Sequence, residues 1–205
     1  SFAYLQRVPP GFNPDAVLTL EITMSGRKYD EAHVFEGYRH IRERIARLPD
    51  VAAVGASSAL PLSQMFAWGP INIEGRTPPA GEKFINADMR IVAGDYFRAM
   101  EIPLLEGRLF GEQDLRSKPR VTIADQHLAQ QMWPNDTAVG KRIRLEGGPN
   151  PPWTTVVGVV GRVKQYTLDT DSRIALYLAH TQFPTRAMNL VVKSRTPAEG
   201  LQVLR

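Results

Sequence analysis

The sequence predicts an α+β protein in two lobes, an α/β lobe followed by a β-rich one. Three observations carry that expectation. A strand, a long amphipathic helix and a second strand follow one another between residues 17 and 60, a compact α/β unit. From Val121 onward, short alternating or β-branched runs dominate, with one helix among them. Between the two lies Ile91 to Phe110, IVAGDYFRAMEIPLLEGRLF, which holds a strand end, a Gly-Asp corner, a short helix, a proline stop and a second turn.

Gly11-Phe12-Asn13-Pro14 is a turn that launches the first strand, Val17 to Met24. The Leu18-Leu20-Ile22-Met24 face is wholly apolar and is expected to meet the core. Asp30 is the expected N-cap of the longest helix, Glu31 to Leu48, with Val34, Phe35, Tyr38, Ile41, Ile45 and Leu48 as its stripe. Early acids and late arginines suit the helix dipole. Val51 to Leu60 is small and apolar, a buried strand expected to return beside the first. Pro61 to Pro70 reads as an irregular loop. Its Met65, Phe66 and Trp68 either plug a core or mark a partner contact, as exposed apolar groups do.

Ile71 to Glu74 and Phe84 to Val92 alternate as the arms of a hairpin with a long tip. At the corner that follows, Asp95 is expected to cap the short helix. Tyr96, Phe97 and Met100 share one face, and Ile102-Pro103 ends the helix. Tyr96 and Phe97 are expected to pack between lobes rather than touch a ligand. Val121 to Ile123 is a short strand, and Asp125 caps a helix through Trp133. Arg142 to Glu146 is a strand with Ile143 and Leu145 inward, and Thr154 to Lys164 is the most apolar run. Ala175 to Leu178 and Asn189 to Lys193 are further strands, and Thr196-Pro197 opens a last helix.

The chain has 205 residues, 43% hydrophobic and 22% charged, with a net charge of +4. Such a composition supports an ordinary core rather than long disorder. The basic residues are spread, which reads as a solvated surface; a nucleic-acid site needs a stripe, so no nucleic-acid partner is expected. Contact with anionic lipid headgroups is the option that the charge leaves open. There is no cysteine, which excludes disulfides, thiolate zinc sites and cysteine nucleophiles. No apolar run approaches the roughly 18 residues of a membrane span. Ser1-Phe2-Ala3-Tyr4-Leu5 has neither the charged start nor the apolar core of a signal peptide. The chain as given is expected to be soluble and to be a piece of something larger.

Gly55-Ala56-Ser57-Ser58-Ala59 approaches a nucleophile elbow, but Ala59 replaces the final glycine and Leu60-Pro61 blocks the helix the elbow requires. His33, His40, His127 and His180 show no zinc-ligand spacing. Asp169-Thr170-Asp171-Ser172 opens like a calcium loop but lacks its glycine and closing glutamate. Gly158-Val159-Val160-Gly161 has no lysine-serine ending and no following helix, so it is no phosphate loop. No catalytic residue, cofactor or metal is expected. A serine hydrolase using Ser57 or Ser58 and a stand-alone solute- or protein-binding module are the alternatives.

The order of the pieces resembles the periplasmic core domain of MacB-like, or FtsX-like, ABC transporter permeases. Asp95-Tyr96-Phe97 through Leu105-Glu106-Gly107-Arg108-Leu109-Phe110, followed by Asp114, is similar to one of that family's runs. Val121-Thr122-Ile123 with Met132-Trp133-Pro134 and Ala138 to Arg144 resembles a second, and Trp153 to Val160 a third. Gly11-Phe12, Tyr29, Leu48-Pro49-Asp50-Val51 and Leu60-Pro61-Leu62 also fit. The chain looks most like a branch of duplicated permeases without an ATPase of their own. The resemblance implies a porter-like α/β lobe over residues 12–93 plus 184–205, with a β-rich, sabre-like lobe inserted at 94–183. Asp95, Tyr96 and Phe97 would form the inter-lobe junction. It further implies a non-catalytic domain outside an inner (cell) membrane, working by mechanotransmission in transport. Its partners would be its own transmembrane helices, a separate ATPase subunit, and a periplasmic partner protein or a second copy.

Overall fold

The structure, a computed structural model, describes residues 8–26, 30–63, 67–146, 151–168 and 172–196. The first elements are β1 (Val17–Thr23), α1 (Glu31–Ala46), β2 (Val51–Ser57), β3 (Trp68–Ile73) and β4 (Ile85–Gly94). Then come α2 (Tyr96–Ala99), β5 (Leu104–Gly107), β6 (Val121–Asp125), α3 (Gln126–Met132), β7 (Arg142–Leu145), β8 (Thr154–Val160), β9 (Ala175–Ala179) and β10 (Ala187–Ser194). The arrangement is mixed α and β, with strand predominating. No helix among the described residues is long and apolar enough to cross a membrane.

The strands form one sheet in the order β1-β10-β2-β4-β3-β7-β8-β6-β9, with β5 beside β8. A parallel β4–β9 pairing, Asp88 opposite Ala175 through Val92 opposite Ala179, closes β4-β3-β7-β8-β6-β9 into a ring. β4 is the joint. Its first residues, Ile85 to Asp88, pair with β3, and its last, Val92 to Gly94, pair with β2. One core cluster draws Ile71, Ile85, Ala124, Ile143, Val156 and Leu176 from all six ring strands, with Leu128, Met132 and Trp133 packed in. A second lies between the β2/β10 part and the corner, around Ala53, Val92, Tyr96, Phe97, Tyr177 and Val191. A third seats Val34 and Tyr38 of α1 on Met24, Ala56, Met188 and Leu190.

Two expected caps form. Asp30 accepts from His33 N–H at 2.9 Å and Asp125 from Leu128 N–H at 2.8 Å. The β3/β4 hairpin forms as well, in antiparallel register. Other expectations are corrected. β2 does not return beside β1; β10 lies between them, antiparallel to both. That leaves β1 paired on one side only among the described strands, and Leu20 is 46% exposed while Met24 is buried. Leu48 lies past the helix end and is 37% exposed. Trp68 to Pro70 is strand rather than loop, because Trp68 pairs opposite Asp88 and Pro70 opposite Asn86. β5 follows the Pro103 stop as an exposed strand where only a turn was expected. The helix expected from Pro197 lies outside the described residues.

Candidate functional site

The corner sits on β2 because two glycines let it. A Cβ on Gly55 would fall 2.3 Å from both N and Cα of Tyr96. Gly94 has φ +58, and its Cβ would fall 2.0 Å from Arg42 Nη1. Close approach of backbone to backbone is what glycine permits. The corner is held by backbone bonds: Asp95 N–H donates to Val54 O at 3.0 Å, and Ala99 N–H to Asp95 O at 2.8 Å. The Asp95 side chain makes no cap hydrogen bond, contrary to expectation. At φ −84 and ψ 37 its backbone is not in the extended conformation of an N-cap. Its charge instead acts on Arg42, whose pKa is pulled down by burial and raised in part by Asp95.

Tyr96 and Phe97 are 1% and 3% exposed. Phe97 meets Tyr177 of β9 edge-on at 4.9 Å, and Tyr96 meets Tyr177 at 6.4 Å. The corner thus touches β2 on one side and a ring strand on the other. Burial pushes the Tyr96 hydroxyl up to about 12, against a hydrogen bond with Ser57. The same segment meets the chain's entry. Met100 O accepts from Asn13 N–H at 2.9 Å, and Glu101 takes both Asn13 Nδ2 and Lys193 Nζ.

Past Tyr177, polar groups line one face of β4. Asp88 and Arg90 are 0% and 1% exposed. Asp88 accepts from the Tyr166 hydroxyl, and its other oxygen has no hydrogen-bond partner among the described residues. Burial raises the Asp88 carboxyl, with Tyr166, Arg90 and Arg173 opposing. Arg90 Nη1 donates to Ala67 O and Met89 O at 3.0 Å each, while Nε and Nη2 have no hydrogen-bond partner among the described residues. Asp88 and Arg90 are a pair of opposite charges two residues apart, legible in the sequence as one face of the alternating Phe84–Val92 strand; their burial is not.

This polar row reaches the surface at Trp68, which is 51% exposed. The Arg173 guanidinium stands 5.1 Å from the Trp68 ring and 5.9 Å from the Tyr166 ring, and 3.9 Å from Asp88. The outer faces of β3, β4 and β7 run on from there through Asn86, Asn72 and Arg144, whose guanidinium stacks on Trp153 at 4.9 Å. Met65 and Phe66 lie outside the described residues.

The serines of the hydrolase alternative make hydrogen bonds to backbone groups. Ser57 is fully buried and donates to Ala59 O at 2.7 Å; Ser58 Oγ accepts from Ile91 N–H. His33 and His40 are exposed on α1. His180 is 2% exposed, packed against Tyr38 and Phe35. Among the described residues no group of three or more His, Asp or Glu is placed to hold a metal. Asp169 and Asp171 of the calcium-like loop lie outside them.

A family model described as the MacB-like periplasmic core domain matches residues 7–203. The fold is similar to the periplasmic region of MacB from Actinobacillus actinomycetemcomitans, at TM-score 0.58 and 14% identity. That match covers 98% of this chain and 86% of that one. The extracellular domain of the noncanonic ABC-type transporter YknZ from Gram-positive bacteria matches at TM-score 0.49 and 16% identity, over 91% of this chain and 88% of that one. No curated protein matches the chain.

Proposed function

The chain belongs to the MacB-like periplasmic core domain family of ABC transporter permeases, and from that premise we propose that it couples movement of membrane helices to partners or substrates outside the membrane. The family match over residues 7–203 carries the reading. The strand pairing supports it: Val17, where β1 starts, lies opposite Lys193, near the end of β10. Membrane helices flanking the domain would then attach side by side, and a shift between them would bear on the β1/β10 pair first. From Asn13 and Lys193 the shift would reach Met100 and Glu101, then Tyr96 and Phe97 of the corner, then β9 and β4. Closed packing of this kind transmits displacement better than it absorbs it. In this reading the porter-like lobe expected over residues 12–93 plus 184–205 is the α1-covered β1, β10 and β2, while β3 and the first part of β4, expected in that lobe, go with the ring as part of the sabre-like lobe expected over 94–183. The junction is Asp95, Tyr96 and Phe97, and the division falls within β4. Trp68, with Met65 and Phe66 near it in sequence, contacts the outside partner. ATP binds another subunit or domain, and the domain itself does no chemistry.

Location is tested by protease added to the extracytoplasmic side of membranes holding the full-length permease. Release of a fragment containing residues 7–203 is expected. Full protection from that side, with cleavage from the cytoplasmic side, contradicts the reading.

A further inference from the structure

We propose that the end of the fold where β1 begins and β10 ends binds anionic phospholipid headgroups directly, through Arg44, Arg47 and Arg195 around Leu48. This rests on the reading that the domain stands on a membrane. β1 runs away from this end, α1 runs back toward it, and β2 starts from it, so the last turn of α1 comes down beside Val17 and Ser194. Arg44 and Arg47 are exposed, three residues apart on that last stretch. Arg195 is exposed and is tied to the same place. Its N–H donates to Asp50 O at 2.8 Å and its Nε to Pro49 O at 3.1 Å. Leu48, between Arg47 and Pro49 in the sequence, is 37% exposed, and Pro49 O is the atom that Arg195 Nε reaches.

Charge favours an anionic surface. The nearby acids are Glu43, which is engaged by Arg39 at 2.6 Å, Glu101, which is engaged by Lys193, Asp50, and the exposed Asp15 beside the end of β10; three arginines still outnumber the two acids that no lysine or arginine engages among the described residues. Lys193 is engaged with Glu101 and is left out of the set. Arg44 and Arg47 also complement the negative end of the helix dipole, a role that needs no lipid. Arg195 is on no helix among the described residues, and the dipole does not account for it. Three arginines around an exposed leucine match a headgroup layer: guanidinium groups take phosphate oxygens in paired hydrogen bonds, and the aliphatic side chain enters the interface.

The test uses the 205-residue chain with no membrane helix attached, so binding reports this surface alone. Vesicles of phosphatidylcholine are compared with vesicles of phosphatidylcholine mixed with phosphatidylglycerol, by co-sedimentation. Binding only to the anionic vesicles, weakened by salt, is expected. Each of Arg44→Gln, Arg47→Gln and Arg195→Gln should weaken it about five-fold, since one cation near such a surface contributes about that factor. The variants sit at exposed positions, and thermal melts check that they fold. Equal binding to both vesicles, no binding to either, or full binding by the triple variant overturns the proposal. So does competition by inorganic phosphate at concentrations far below the added salt, which would mean a small-anion site instead. Such failure leaves the protease result untouched, so the two readings fail separately.

Discussion

Substituting Gly55→Ala puts the seat of the corner under direct load. The added methyl would lie 2.3 Å from N and Cα of Tyr96 and 2.9 Å from the Asp95 carbonyl carbon. All three are backbone atoms, so no side chain can swing away. Ordinary contact needs more than an ångström of extra room, and only lifting α2 off β2 supplies it. That movement opens the cluster of Ala53, Val92, Phe97, Tyr177 and Val191. Overpacking of a tight core costs about 1–3 kcal/mol, and a rigid backbone obstacle belongs at or above the upper end. At ~2–4 °C per kcal/mol for a chain of this size, a cost near 3 kcal/mol lowers Tm by roughly 6–12 °C. Circular dichroism melts and guanidinium titrations read it. Gly69→Ala is the control: its methyl would meet only the flexible Met89 Cε at 3.3 Å, and it should be nearly neutral. A Gly55→Ala protein within about 0.5 kcal/mol of Gly69→Ala would refute the close seating of the corner on β2.

Trp68→Ala should change folding stability by less than about 1 kcal/mol, because the indole is half exposed and its Arg173 contact is a surface cation–π pair; a loss of several kcal/mol in denaturant titration would show that it is core. Burial raises the Asp125 carboxyl to about 6, against hydrogen bonds from Leu128 and Ala175 and the Arg162 charge. A raised carboxyl binds protons more tightly in the folded state, so its contribution is largest at acid pH and is lost as pH rises from about 4 to about 6. Relative to the wild type, Asp125→Asn should therefore gain stability across that window, by up to about 3 kcal/mol; parallel pH profiles would sink the assignment. Burial pushes Asp114 up, but Arg108 at 2.7 and 2.8 Å and the Gly111 N–H outweigh it and hold the carboxyl below its ordinary value. Stability from this pair is present above about pH 4 and lost as pH falls through the lowered value. Asp114→Asn should cost about 1–3 kcal/mol at neutral pH and little in strong acid.

What the sequence displayed was local. Alternation marked β3, β4 and β7, helical spacing marked α1, and Asp30 and Asp125 stood where caps belong and do cap. Pairing between distant segments was not legible. Nothing at Val17 to Thr23 said that β10, rather than β2, would lie alongside, so Leu20 was read as core when it borders an open edge. The ring closed by β4 and β9 depends on a parallel contact across almost ninety residues, which no local pattern encodes. At the corner Gly94 reads as a break, whereas its partner Gly55 reads as part of a serine motif. Their common reason, room for Tyr96 against β2, exists only in three dimensions. The Asp88, Arg90 and Tyr166 cluster is illegible for the same cause, since Tyr166 comes from a segment far along the chain.

The central claim is that displacement entering at β1 and β10 passes through the corner to the ring. These 205 residues contain no cysteine, so once any cysteine elsewhere in the permease is replaced, His40→Cys on α1 and Phe84→Cys beside β4, both exposed, give one spin-label pair across the corner. In the full permease with its ATPase, pulsed electron-spin distance measurement should show a shifted distribution between the nucleotide-free and ATP-bound states. An unchanged distribution in a permease that is actively transporting would contradict the account.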